Sequence, residues 1–135
     1  MTHNYFLYKN PATGLLTWIN WDNNEALQEG KLGGSLALDF SDLEHGQWPL
    51  IEYLFADEVY RARYDAYVAE VIDGAFTTGL IQSTYAAYAS LIEPYATTEI
   101  AGYTFLRGSG DFQMAISELN AHASERAAAV SNYLR

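Results

Sequence analysis

The sequence predicts an α+β fold that is mainly α, with an N-terminal β-hairpin packed on a small helical body. Three observations point there. Two short aromatic and aliphatic runs flank a Pro- and Gly-containing turn near the start, and everything after residue 48 carries apolar residues at three- and four-residue steps. Half of the 135 residues are hydrophobic, enough to bury one core, so the chain reads as a single domain or a piece of one.

The hairpin comes first, over residues 1–22. Tyr5-Phe6-Leu7-Tyr8 forms one strand, Asn10-Pro11-Ala12-Thr13-Gly14 supplies turn chemistry, and Leu15-Leu16-Thr17-Trp18-Ile19 forms the second strand. Both strands are apolar on both faces. They therefore call for cover on two sides, since an isolated hairpin is marginal in water. Residues 23–47 read as an irregular loop with Gly30, Gly33 and Gly34, then acids at Asp39, Asp42 and Glu44. Leu36, Leu38, Phe40 and Leu43 are expected to dock it. A loop of this length within a domain is more often functional than idle.

The helical body spans 48–135. Pro49 suits the first turn of a helix bearing Leu50, Ile51, Leu54 and Phe55. Asp57 suits the cap of a second helix, with Tyr60, Tyr64, Tyr67, Val68, Val71 and Ile72 on its stripe and Gly74 at its end. Thr77 or Thr78 starts a third, with Ile81, Tyr85, Tyr88, Ile92 and Tyr95 in register and Pro94 near its end. Ser109 or Asp111 caps a long last helix carrying Phe112, Ile116, Leu119, Ala123, Ala127, Val130 and Leu134. The Tyr stripes read as packing rather than as stacking platforms, because one face of each helix must be buried.

Composition excludes several functions. With 17 acids against 7 bases the formal charge is −10, which repels phosphate backbones and anionic lipid and argues against nucleic-acid or membrane-surface binding. No apolar run approaches the roughly 20 residues needed to cross a bilayer, so no membrane insertion is expected. Met1-Thr2-His3-Asn4-Tyr5 has neither a basic nor a long apolar segment, so no signal peptide is visible. The absence of Cys removes disulfides, thiolate metal sites and cysteine nucleophiles. There is no Ser-centred nucleophile elbow, Walker loop or dinucleotide fingerprint, and Gly30-Lys31-Leu32-Gly33-Gly34 lacks the spacing of a phosphate cradle. His45 and His122 have no partner at metal-ligand spacing and read as surface or core-edge residues.

One stretch can carry chemistry. In Trp18-Ile19-Asn20-Trp21-Asp22-Asn23-Asn24 a carboxylate sits where a strand stops and a loop begins, so its backbone is fixed while its oxygens stay accessible. Asp22 and the amides after it are hard oxygen donors, suited to Mg²⁺ or Mn²⁺. The same residues also make ordinary turns and caps, and taken alone they favour the turn over the metal ligand.

His3-Asn4-Tyr5-Phe6-Leu7-Tyr8, then Pro11 with Thr13-Gly14, then Trp18-Ile19-Asn20-Trp21-Asp22 resembles the signature of the spore coat protein H-type (CotH-type) atypical kinases. In that family an H-N-Y-Y-L-Y strand and a P-x-T-G turn lead to a W-I-P-W-D strand. Pro49-Leu50-Ile51, Glu58-Val59-Tyr60-Arg61-Ala62-Arg63-Tyr64 and the Glu125-Arg126 pair of the last helix are similar to the family's later helices. Asn20 stands in place of a Pro, and Glu25-Ala26-Leu27-Gln28 in place of an apolar-Ala-Phe-Gly pattern.

The resemblance implies part of a protein-kinase-like C-lobe that transfers phosphate from ATP to Ser of secreted or coat proteins. It implies that Asp22 holds Mg²⁺ (or Mn²⁺) against the ATP phosphates, that Asn4 is its partner, and that Asn24 is a neighbouring amide of the metal site. It places the catalytic Asp, the phosphate-gripping Lys and the N-terminal lobe upstream of Met1, so these residues alone are expected to be inactive. The implied partners are a Ser-rich protein substrate and that missing lobe; the implied location is extracellular or on the spore surface. Two other readings stand beside it. One is a non-catalytic interaction or structural module derived from the same fold, and the other is a metal-binding hairpin without nucleotide. The exposed hairpin face also suggests self-association.

Overall fold

The computed structural model describes residues 5–22, 27 and 37–135, and within them the fold is α+β and mainly α. The chain divides into two compact units, Met1–Ser35 and Leu36–Arg135.

The first unit holds an antiparallel hairpin of β1 (Tyr5–Lys9) and β2 (Leu16–Asn20), with Tyr5 opposite Asn20 and Lys9 opposite Leu16. Its turn is built from the residues that predicted it. The Asn10 side chain accepts from Ala12 N–H at 2.9 Å, its carbonyl accepts from Gly14 N–H at 2.8 Å, and Gly14 takes φ +69°, where a Cβ would be strained. Side chains directly opposite share a face. Phe6, Tyr8 and Ile19 therefore lie on one side, and Leu7, Leu16 and Trp18 on the other. Two strands bury neither face: the large apolar side chains from Phe6 to Trp21 stand 44–68% exposed. The hairpin itself does not supply the two-sided cover that its composition calls for.

The second unit contains α1 (Pro49–Ala56), α2 (Glu58–Asp73), α3 (Thr78–Ala96) and α4 (Ser109–Tyr133). Pro49 occupies the first turn of α1, where its missing N–H costs nothing. Asp57 caps α2 by accepting from Val59 N–H at 2.8 Å and Tyr60 N–H at 3.3 Å, an arrangement that stabilises a helix by about 1 kcal/mol. Gly74 ends α2. Thr77 precedes α3 without a side-chain cap, and Pro94 falls inside its last turn. The N-cap of α4 is Gly108, and neither Ser109 nor Asp111 takes that place. Asp111 sits within the first turn, where its carboxylate accepts from Arg107 N–H at 2.7 Å and faces the positive end of the helix.

The core lies along α4, which packs on α3 and also meets α2. Phe112, Ala123 and Val130 of its predicted stripe are the buried hydrophobic residues among those described. Gln82 of α3 donates to Asn120 O at 3.2 Å and to Ser124 Oγ at 3.1 Å, and Gln113 of α4 donates to Glu93 of α3. The predicted Tyr stripes divide. Tyr64, Val68 and Ile72 of α2 are half-buried, as are Ile81 and Tyr85 of α3, whereas Tyr60, Tyr67, Val71, Tyr88, Ile92 and Tyr95 stand exposed. An apolar helix needs one covered face, and each of these stripes is wider than the neighbour that covers it.

Residues 37–48 form turns against α1 and α2. Phe40 adopts φ +55°, unusual for a bulky residue and worth about 1–2 kcal/mol of strain. Its ring packs at 5.0 Å from Phe55 and 5.5 Å from Tyr64, and aromatic pairs of this kind offset such a cost. Tyr64 also meets Tyr133 at 6.3 Å, and the Tyr133 hydroxyl donates to Asp65 Oδ1 at 2.5 Å, tying the end of α4 to α2.

Desolvation, then the bond to Asp65, raises the Tyr133 phenol above the ordinary value of 10.0. The folded chain thus keeps this proton to higher pH than the unfolded chain. The stability it confers is fully present below pH 10 and is lost as pH rises through the raised value. We predict that Tyr133→Phe lowers the urea midpoint at pH 8 and that the gap from wild type closes above pH 10. A gap constant from pH 8 to 11 would contradict the assignment.

Candidate functional site

Asp22 lies two residues beyond β2, and the features of the strand end explain how it is presented. Trp18 Nε1 donates to Asn20 Oδ1 at 2.9 Å, and Phe6 meets Trp21 edge-on with ring centres 5.8 Å apart. These contacts stiffen the strand up to its last residues. Asp22 then takes φ +56°, the left-handed region that Asp tolerates better than most residues. Its side chain is exposed. A carboxylate on a fixed backbone, open to solvent, is a competent hard-cation ligand.

Asn4 and Asn24, the other two predicted ligands, lie outside the described residues, as does His3. Among the described residues no group of three His, Asp or Glu side chains is placed to hold a metal ion. The donor chemistry nevertheless fits Mg²⁺. That ion keeps much of its water and takes one or two carboxylates together with substrate phosphates, rather than an all-protein cage.

The turns over 37–48 build a second feature that sequence reasoning did not identify. Asp39, Phe40, Leu43, His45, Ile51, Glu52 and Phe55 line an open pocket of about 290 Å³. Its floor is aromatic and aliphatic and its rim is acidic. Glu52 accepts from Gly46 N–H at 2.6 Å and approaches His45 Nδ1 at 3.0 Å, so one carboxylate pins the turn to α1. The Ser41 hydroxyl and N–H both donate to Asp39 and hold its carboxyl below its ordinary value. His45 and Glu52 are seven positions apart, on a turn and a helix, and no local spacing rule pairs them. The one available signal was an acid early in a helix that begins at Pro49.

No helix among the described residues is long and apolar enough to cross a membrane. In comparisons with known proteins, the family model described as CotH kinase protein matches residues 1–130. No curated protein and no solved structure matches the chain.

Proposed function

The chain belongs to the CotH kinase family, and we propose that its residues form the C-terminal lobe portion of an enzyme that transfers phosphate from ATP to Ser of secreted or coat proteins. The observation that carries this reading is Asp22, an exposed carboxylate just beyond a strand end within the matched segment.

In this reading Asp22 fixes an anionic oxygen at the mouth of the loop over 23–47, while Asn4 and Asn24 contribute amide oxygens beside it. A divalent cation held there supplies neutralisation of the dense charge on the ATP phosphates. The hairpin keeps Asp22 in place just beyond the strand end. The acceptor-positioning Asp and the phosphate-gripping Lys are assigned to a lobe outside these 135 residues. Phosphoryl transfer depends on positioning and electrostatics supplied jointly, so these residues alone transfer none.

The test is a radiolabelled-ATP assay of the isolated chain against a Ser-rich peptide. No transfer above background is expected. Transfer that disappears in Asp22→Ala would show that these residues form a complete site and would overturn the division of labour proposed here. Magnesium titration with and without ATP, read through Trp18 and Trp21 fluorescence, separates a nucleotide-linked metal site from a metal-binding hairpin. A response to magnesium that ATP does not alter favours the latter.

A further inference from the structure

The exposed side of α3 is apolar along its length. Leu80, Tyr88, Leu91 and Tyr95 stand 50%, 63%, 65% and 75% exposed. At about 100° per residue they fall with Thr84 and Ala87 in one narrow stripe along the helix. The opposite side is occupied: Gln82 and Glu93 bond to α4. Glu93 is the only charged residue among the 19 of α3, and it lies on that occupied side. A chain of net charge −10 thus carries an uncharged apolar stripe about 22 Å long.

We propose that this stripe is where a second copy of the same chain docks, antiparallel and about a two-fold axis. This stands independently of the phosphotransfer reading. Charge favours a second copy over an unlike partner. The stripe has no acid with which to recognise a basic partner, and two acidic copies can approach closely only where neither bears charge.

Self-complementarity supports the same occupant. With the axis between Ala87 and Tyr88, Leu80 faces Tyr95 of the second copy, Thr84 faces Leu91, and Ala87 faces Tyr88. In the two central pairs small side chains then stand opposite large ones, which suits packing of a two-fold helix pair. The four large side chains offer about 500 Å² per copy, hence about 1,000 Å² in the pair, the lower bound for a specific contact.

The chain has no Cys, so a single introduced thiol reports geometry without background. Ala87→Cys lies beside the axis and is expected to form a disulfide-linked dimer under mild oxidation. Ser90→Cys, exposed on the same helix but off the stripe, should cross-link at least tenfold less.

Sedimentation of the wild-type chain across about 1 μM to 1 mM should pass from monomer to dimer mass. Leu91→Glu should weaken that association at least tenfold, with helicity unchanged by circular dichroism. Tyr95→Lys provides the same test should Leu91→Glu lose its fold. A wild-type chain monomeric throughout, equal cross-linking at positions 87 and 90, or a dimer that survives the α3 variants would each overturn the proposal. So would a dimer abolished by Trp21→Ser and not by Leu91→Glu, which would place the contact on the hairpin.

Discussion

Phosphotransfer by a kinase that joins these residues to an N-terminal lobe is expected to fall by about 10²- to 10³-fold when Asp22 is changed to Asn. The substitution keeps the size of the side chain and its tolerance of φ +56° while removing its charge. An electrostatic contact aimed at charge in the transition state is worth that much in a water-poor site. Because a metal-held phosphate is a ground-state contact as well, the Michaelis constant for ATP should rise and kcat should fall. A variant with unchanged kcat/KM for ATP would remove Asp22 from the site.

The second large effect concerns stability. Phe112→Ala should cost about 3 kcal/mol or more, read as a drop in the denaturant midpoint of the helical unit. Phe112 is 6% exposed and is the largest of the three buried hydrophobic side chains among the described residues. With so few buried groups along α4, nothing nearby compensates for the cavity. Domains of this size have only about 5–15 kcal/mol in hand, so the variant should be partly unfolded near 37 °C. A loss below about 1 kcal/mol would mean that α4 is held chiefly by its polar links to α3 and α2.

The elements whose cause is local were legible in the sequence. Asn10 to Gly14 specify the hairpin turn through one side-chain acceptor and one left-handed glycine. Pro49, Asp57 and Gly74 punctuate α1 and α2 where their backbone chemistry requires. The position of Asp22 at a strand end was legible for the same reason. Features set by distant partners were not. Periodicity marks Tyr88 and Tyr95 as apolar-face residues but does not reveal whether a neighbour covers them, and they stand exposed. Phe40 in a left-handed turn contradicts its own propensity; it is held by Phe55 and Tyr64, which lie far along the chain. The His45–Glu52 contact likewise depends on how a turn meets a helix. The Tyr64–Tyr133 contact at the junction of α2 and α4 was likewise not legible.

The reading of Asp22 as a cation ligand is tested most directly by paramagnetic broadening. Substoichiometric Mn²⁺, added with ATP to the isotope-labelled chain, should first broaden the Asp22 amide and the Trp21 indole. The acids at Asp39, Asp42 and Glu44 should respond later, and Asp22→Asn should abolish the early effect. Equal broadening at every exposed acid, or a pattern unchanged by Asp22→Asn, would contradict the account.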